Sequence, residues 1–289
     1  MADLRDLIAS GGPVIADGAW GTQLKEKGLS GCPELWNDQN PEAVLQVARS
    51  YVDAGAQVIL TNSFGGSPFK LAGWGLEDRT EELNEKAARL SREAAGGSVV
   101  VLGSVGPTGK FLQPYGPVKP EEMEKGFLRQ ITGLLRGGAD GIVIETMSDI
   151  GEAECALRAA RSAGAPYVVV SMTFERKKAG MVTMMGVKPE EAARHFTERD
   201  CLCVGANCGT GVDDMVEVIS AMARATSAAL WAKPNAGIPR VVEGKTVYPE
   251  GPEEMARKIQ RLRDAGATVV GGCCGTTPEH IRRIAELLH

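Results

Sequence analysis

No apolar run in this 289-residue chain approaches the ~20 residues that a helical membrane span needs. The N-terminus, Met1-Ala2-Asp3-Leu4-Arg5-Asp6, has no signal-peptide pattern. These two absences set the expectation of a cytoplasmic protein with no membrane partner. An excess of positive charge is also missing. Lys and Arg number 32 against 37 Asp and Glu, a net charge of −5 with pI about 5.5. That balance argues against nucleic acid as a partner. Histidine is scarce, with His195, His280 and His289 alone. His280 lies six residues after Cys274, and a place on the helix surface or behind the metal ligands suits it better than the metal itself. No Gly-x-Gly-x-x-Gly turn follows the first apolar run, which argues against a doubly wound nucleotide-binding sheet. The glycine-rich turn at 103–109 lacks the Gly-Lys-Ser/Thr of a P-loop. No linker or low-complexity segment interrupts the chain, so residues 1–289 are expected to form a single domain.

What the chain does hold is alternation. Eight short apolar runs recur: 13–17, 57–61, 98–102, 141–145, 167–171, 202–206, 229–233 and 267–270. Such continuous runs, rich in β-branched residues, suggest parallel strands buried on both faces. Helical patterns separate them, for example Pro41 to Ala54 with Val44, Val47, Ala48 and Tyr51 at helical spacing and Gly55 as the stop. Others are expected at 79–95, 120–135, 149–163, 189–199, 213–224, 252–265 and 278–288. Eight strand-helix units in alternation predict an α/β fold, a single (β/α)₈ TIM barrel. The active site of such a barrel lies at the C-terminal ends of its strands. The polar residues there are Asp17, Thr61, Asn62, Ser104, Glu145, Thr173, Asn207, Cys208, Lys233, Asn235, Cys273 and Cys274.

Seven cysteines is an odd count, which fits reduced thiols and a metal better than a disulfide framework. Cys273 and Cys274 are adjacent, at the end of one apolar run and among Gly271, Gly272 and Gly275. Glycine permits the backbone to turn there and bring both thiols to one target. Thiolates favour zinc. Cys208, before Gly209 and after another strand, belongs to the same rim and supplies a third ligand. Three protein ligands with one open position are the layout of a catalytic zinc. The plain alternatives are buried, inert cysteines or a zinc-storage protein. Cys32, Cys155, Cys201 and Cys203 lack such turns and read as ordinary thiols.

Asp17 opens Asp-Gly-Ala-Trp-Gly-Thr. Its carboxylate suits the ammonium of a small zwitterion, with neighbouring amides for the carboxylate; the alternative is a turn Asp. Glu145 ends an apolar strand, where a carboxylate is costly unless paired. It reads as a ligand for a substrate amine or as half of a structural ion pair. Lys233-Pro234-Asn235-Ala236-Gly237 either supplies polar contacts or shapes the rim. Trp20, Trp36 and Trp74 are candidates to wall a pocket.

Together these residues resemble the homocysteine S-methyltransferase family. The matching segments are 17–22, Thr-Asn-Ser-Phe-Gly at 61–65, Gly-Pro-Thr-Gly at 106–109, Glu145-Thr146, Asn207-Cys208, 234–237 and Gly-Gly-Cys-Cys-Gly at 271–275. The resemblance covers essentially the whole chain and is greatest to the homocysteine module of the cobalamin-dependent synthases. It implies zinc on Cys208, Cys273 and Cys274. It also implies homocysteine held by Asp17, Glu145 and the amides near Gly18 and Ala19, with Asn207 beside them and Asn62 and Asn235 as rim contacts. The implied reaction moves a methyl group to the homocysteine thiol. No Asp-x-His-x-x-Gly cobalamin segment occurs, so the donor is expected to be a small molecule or a corrinoid on a separate partner protein. A related reading is a methyltransferase or demethylase of a corrinoid pathway that acts on another thiol.

Overall fold

Period-2 patterning explains the architecture of the computed structural model, which describes residues 2–178, 180–242 and 244–288. Eight parallel strands form the expected TIM barrel: β1 Val14–Ile15, β2 Val58–Leu60, β3 Val100–Val105, β4 Gly141–Met147, β5 Val168–Met172, β6 Cys203–Asn207, β7 Ala229–Lys233 and β8 Ala267–Val270. Each pairs with its sequence neighbours, and β8 pairs with β1. Between β1 and β2 the ring closes through the Ala16–Val58 bridge and the bond from Asp17 N to Val58 O, 2.9 Å.

Side chains alternate across each strand. Val14, Ala16, Val58, Leu60, Val100, Leu102, Val143, Val169, Cys203, Trp231 and Val269 fill the barrel interior, with Leu4 and Tyr167 packed among them. Ile15, Ile59, Val101, Ile142, Ile144, Val168, Val170, Val204, Leu230 and Val270 point outward into the layer beneath the helices. The helix Pro41–Asp53 covers that layer with Val44, Val47, Ala48 and Tyr51, as its spacing predicts. Asp149 caps the helix Ile150–Ser162 by accepting from Gly151 N at 2.7 Å.

The inward register continues past the apolar layer. Two residues beyond Leu102, Val143, Val169, Gly205 and Trp231 stand Ser104, Glu145, Ser171, Asn207 and Lys233, all buried. A polar layer thus caps the apolar one at the C-terminal end. Two antiparallel hairpins, Glu175–Lys177 with Gly180–Val182 and Arg240–Val242 with Lys245–Val247, follow β5 and β7 and were not expected from the sequence. The helices Leu4–Ala9 and Trp20–Glu26 were also not expected.

Candidate active site

The turn after β8 brings Cys273 and Cys274 beside Cys208, which follows β6. Their sulfurs all lie within 4.8 Å of one another, and Cys208 Sγ is 3.8 Å from Cys274 Sγ. A tetrahedral thiolate site with metal–sulfur bonds of about 2.3 Å places its sulfurs about 3.8 Å apart. The trio therefore fits three corners of a soft-metal site. Among the described residues it is the one cluster of three or more such ligands.

Backbone conformation makes the convergence possible. Cys208 itself is left-handed at φ 58°, followed by Gly209 at 69°, a costly conformation for a residue with a Cβ. Cys208 N donates to Lys233 O and Cys273 N to Pro234 O, so both are tied to the end of β7. Gly271 and Gly272 serve close approach: a Cβ on Gly271 would meet Asp17 O at 2.7 Å, and one on Gly272 would meet the Thr276 side chain at 2.4 Å. Hydrogen bonds from Cys208 and Cys273 hold Cys274 well below the ordinary thiol range, while hydrogen bonding with Cys208 and Cys274 pushes Cys273 well above it. The other cysteines behave as plain buried thiols: burial pushes Cys32 up to about 11 and Cys201 and Cys203 up to about 12.

A cavity of about 520 Å³ opens beside the cluster. Its wall includes all three cysteines, Gly18, Ala19, Trp20, Asn62, Glu145, Lys233 and Trp74. Glu145, 7 % exposed, accepts from Ser104 Oγ at 2.5 Å. Burial raises its pKa, and the charge of Lys233 offsets part of the rise. Asn207 is held by Thr146 N at 2.8 Å and Ser171 Oγ at 2.7 Å on its Oδ1, and its Nδ2 donates to Thr146 Oγ1 at 2.7 Å. That amide also reaches toward Glu145 Oε2 at 3.4 Å and Cys273 Sγ at 3.9 Å. Asn207 is off the cavity wall and orients the groups that are on it.

Asp17 is fully buried behind the wall. Its Oδ2 accepts from Trp20 Nε1 at 2.8 Å and Leu60 N at 2.7 Å, and its Oδ1 is ion-paired with Lys233. The Ala19 amide donates to Thr276 Oγ1 at 3.0 Å, so it differs from the free amide that the sequence suggested. Asn62 Nδ2 donates to Pro33 O and Asn37 Oδ1, which braces the wall. Asn235 is buried off the wall, and its Oδ1 has no partner among the described residues. His280 is buried rather than on the helix surface, because its ring bonds Thr277 and the Glu250 carbonyl, and it is not one of the clustered metal-ligand candidates. Trp36 packs against the core and is likewise off the wall.

Two wall residues carry no signal in the sequence or an ambiguous one. Glu34, buried at 4 %, accepts from Gly65 N at 2.7 Å and Cys32 Sγ at 3.3 Å; it lies in the single 3₁₀ turn Pro33–Leu35, which is too short to carry a pattern. Lys233 is 2 % exposed, and its Nζ lies 5.8 Å from the centre of the Trp231 ring. Burial lowers its pKa, but Asp17 and Glu145 more than offset this and hold it above the usual lysine value.

Comparison with known proteins agrees with this geometry. The family model described as homocysteine S-methyltransferase matches residues 14–288. The methionine synthase of Mycobacterium tuberculosis is 31 % identical over 98 % of this chain, and that of Mycobacterium leprae 29 % over 94 %. The chain spans about a quarter of the length of these curated relatives, 25 % and 24 %. The metallated form of the homocysteine methyltransferase MmuM from Escherichia coli superposes with a TM-score of 0.81 at 24 % identity, covering 98 % of this chain and 99 % of that one. The barrel is thus shared, and a sulfur trio and a buried charged wall stand at its active end: this chain belongs to the homocysteine S-methyltransferase family.

Proposed function

We propose that this chain transfers a methyl group to the thiol of homocysteine to give methionine, with zinc held by Cys208, Cys273 and Cys274. The observation that carries the reading is the convergence of three thiols on the wall of a cavity that also presents a buried carboxylate, Glu145. When bound, zinc supplies an open ligand position that takes an acceptor thiol as the nucleophilic thiolate. The chain's residues do the positioning. Glu145 takes the acceptor's ammonium, which compensates the charge buried at the end of β4. Ser104 and Asn207 fix the Glu145 carboxylate. Trp20 and the β1 turn line the same cavity and help to hold the two reactants in a defined orientation.

For the donor, the surface around the cavity favours a methylcorrinoid carried by a separate protein over a free small molecule. Eight of the ten large apolar side chains exposed among the described residues lie in segments that lead from a barrel strand to the next helix, and a ninth, Trp74, is on the cavity wall. In a TIM barrel those segments form the active face. Apolar clustering of this kind marks a protein-interaction surface.

The test is methyl transfer to homocysteine by the zinc-loaded protein with methylcobalamin, a sulfonium donor and a quaternary ammonium donor. Methionine should form from methylcobalamin, and a Cys208→Ser variant should lose at least 100-fold in rate together with stoichiometric zinc. Undiminished zinc and rate in that variant would remove Cys208 from the site.

A further inference from the structure

We infer that Lys233 is the residue that reads the acceptor's carboxylate, so that Glu145 and Lys233 recognise the two ends of the zwitterion between them. The inference rests on the homocysteine reading above and adds a specificity residue to it. An ammonium group has three N–H donors. Among the described residues Lys233 Nζ has one hydrogen-bond acceptor, Asp17 Oδ1, although the side chain forms part of the cavity wall. Donors of a fully buried cation therefore remain for a ligand that enters the cavity.

The neighbours narrow the choice. Asp17 is committed to three donors, Lys233, Trp20 and Leu60, and stands behind the wall. An incoming ammonium finds better room at Glu145, whose oxygens meet Ser104 at 2.5 Å and Asn207 at a long 3.4 Å. The Ala19 amide is spent on Thr276; the Gly18, Trp20 and Gly21 amides on the same wall can assist a carboxylate but carry no full charge, whereas Lys233 does. Lys233 and Glu145 each lie within the other's electrostatic reach and share one wall with the cysteines. A thiol acid with an α-ammonium presents three groups, and this wall presents a match for each: sulfur-binding cysteines, an anion and a cation. The bland alternative is that Lys233 merely ties β7 to β1 through Asp17.

The experiment compares homocysteine with 3-aminopropanethiol, the same skeleton without the carboxylate, using zinc-loaded wild-type, Lys233→Met, Asp17→Asn and double-variant protein. Steady-state transfer and calorimetric binding are both read. Wild type should prefer homocysteine by roughly 10- to 100-fold, the range of a charge-assisted hydrogen bond. Lys233→Met should raise KM for homocysteine by that factor with kcat within about threefold, and bring the preference near unity, because only the cation's contact is lost. Asp17→Asn keeps the cation and should keep the preference. The double variant leaves no unpaired carboxylate and serves if Lys233→Met does not fold. An unchanged preference in either folded Lys233 variant overturns the inference. Equal collapse in Asp17→Asn overturns it too, since the ion pair rather than the cation would then be responsible. Wild-type protein that binds neither thiol overturns the acceptor assignment itself and this inference with it.

Discussion

Lys233 shows how a single residue depends on partners that lie far off in the chain. It is joined to Asp17, 216 positions away in sequence, in the buried polar layer that caps the apolar barrel interior. An ion pair at this depth is weak evidence of net stabilisation, because both groups lost their water. Removing one partner is a different matter. Lys233→Met leaves the Asp17 charge buried without a cation and should cost about 3–5 kcal/mol in unfolding free energy. Adding Asp17→Asn should recover most of that loss, because an amide oxygen still accepts from Leu60 or Trp20 and carries no charge. Urea denaturation of the four proteins gives the coupling directly. Additive losses in the double variant would mean that the two side chains do not act as a pair. The same chemistry explains why the sequence left Lys233 ambiguous between contact and rim. Its strand-end position was legible, but its partner depends on β1 and β7 both flanking β8, which no local pattern encodes.

At the scale of elements, the barrel was readable because strand burial imposes a pattern. Runs such as Val99-Val100-Val101-Leu102 and Gly141-Ile142-Val143-Ile144 stand between helices, and both faces of the resulting strands are buried. The inward positions of those runs point to Ser104, Glu145, Asn207 and Lys233 as one layer. The two hairpins escape because their strands carry little apolar pattern: Glu175, Arg176 and Lys177 are all exposed, and the hairpin after β5 reaches the core through Met181 and Val182 of its second strand. Glu34 escaped for a related reason, since its burial is set by Gly65 and Cys32 in irregular segments. The glycines of the cysteine turn suggest conformational freedom in the sequence, yet Gly271 and Gly272 matter for what they touch. Gly205 in β6 makes that distinction testable. A Cβ there would meet the Trp231 carbonyl oxygen at 1.9 Å, on backbone that the β6–β7 ladder holds in register. Gly205→Ala should therefore destabilise by roughly 3 kcal/mol or more, at the upper end for overpacking. A change in the urea midpoint equivalent to less than about 1 kcal/mol would show that β6 and β7 can part without cost. That result would also loosen the argument for Cys208, which is tied to the end of β7.

Across the whole molecule, polar and apolar surfaces are unevenly placed. Salt bridges such as Arg79–Glu82, Arg158–Glu124 and Arg283–Glu286 decorate the outer helices. The segments around the cavity mouth instead expose Tyr115 at 80 % and Val241 at 77 %, along with Trp74 and Ile238. Water pays a cost at such surface that a partner would remove, and tyrosine is among the residues that carry most binding energy at protein interfaces. A small donor needs only the cavity. A donor borne by a protein needs the rim as well, so the two cases separate by mutation. Tyr115→Glu and Val241→Glu lie away from the cysteines and off the cavity wall. They should leave transfer from free methylcobalamin within about twofold. Transfer from a methylated corrinoid protein should fall at least tenfold, the consequence of losing about 1.4 kcal/mol or more of docking energy. Loss of both activities in parallel would mean that the rim shapes the cavity itself. Loss of neither would mean that Tyr115 and Val241 have no part in docking the carrier of the methyl group, and the apolar face would then no longer favour a donor borne by a protein.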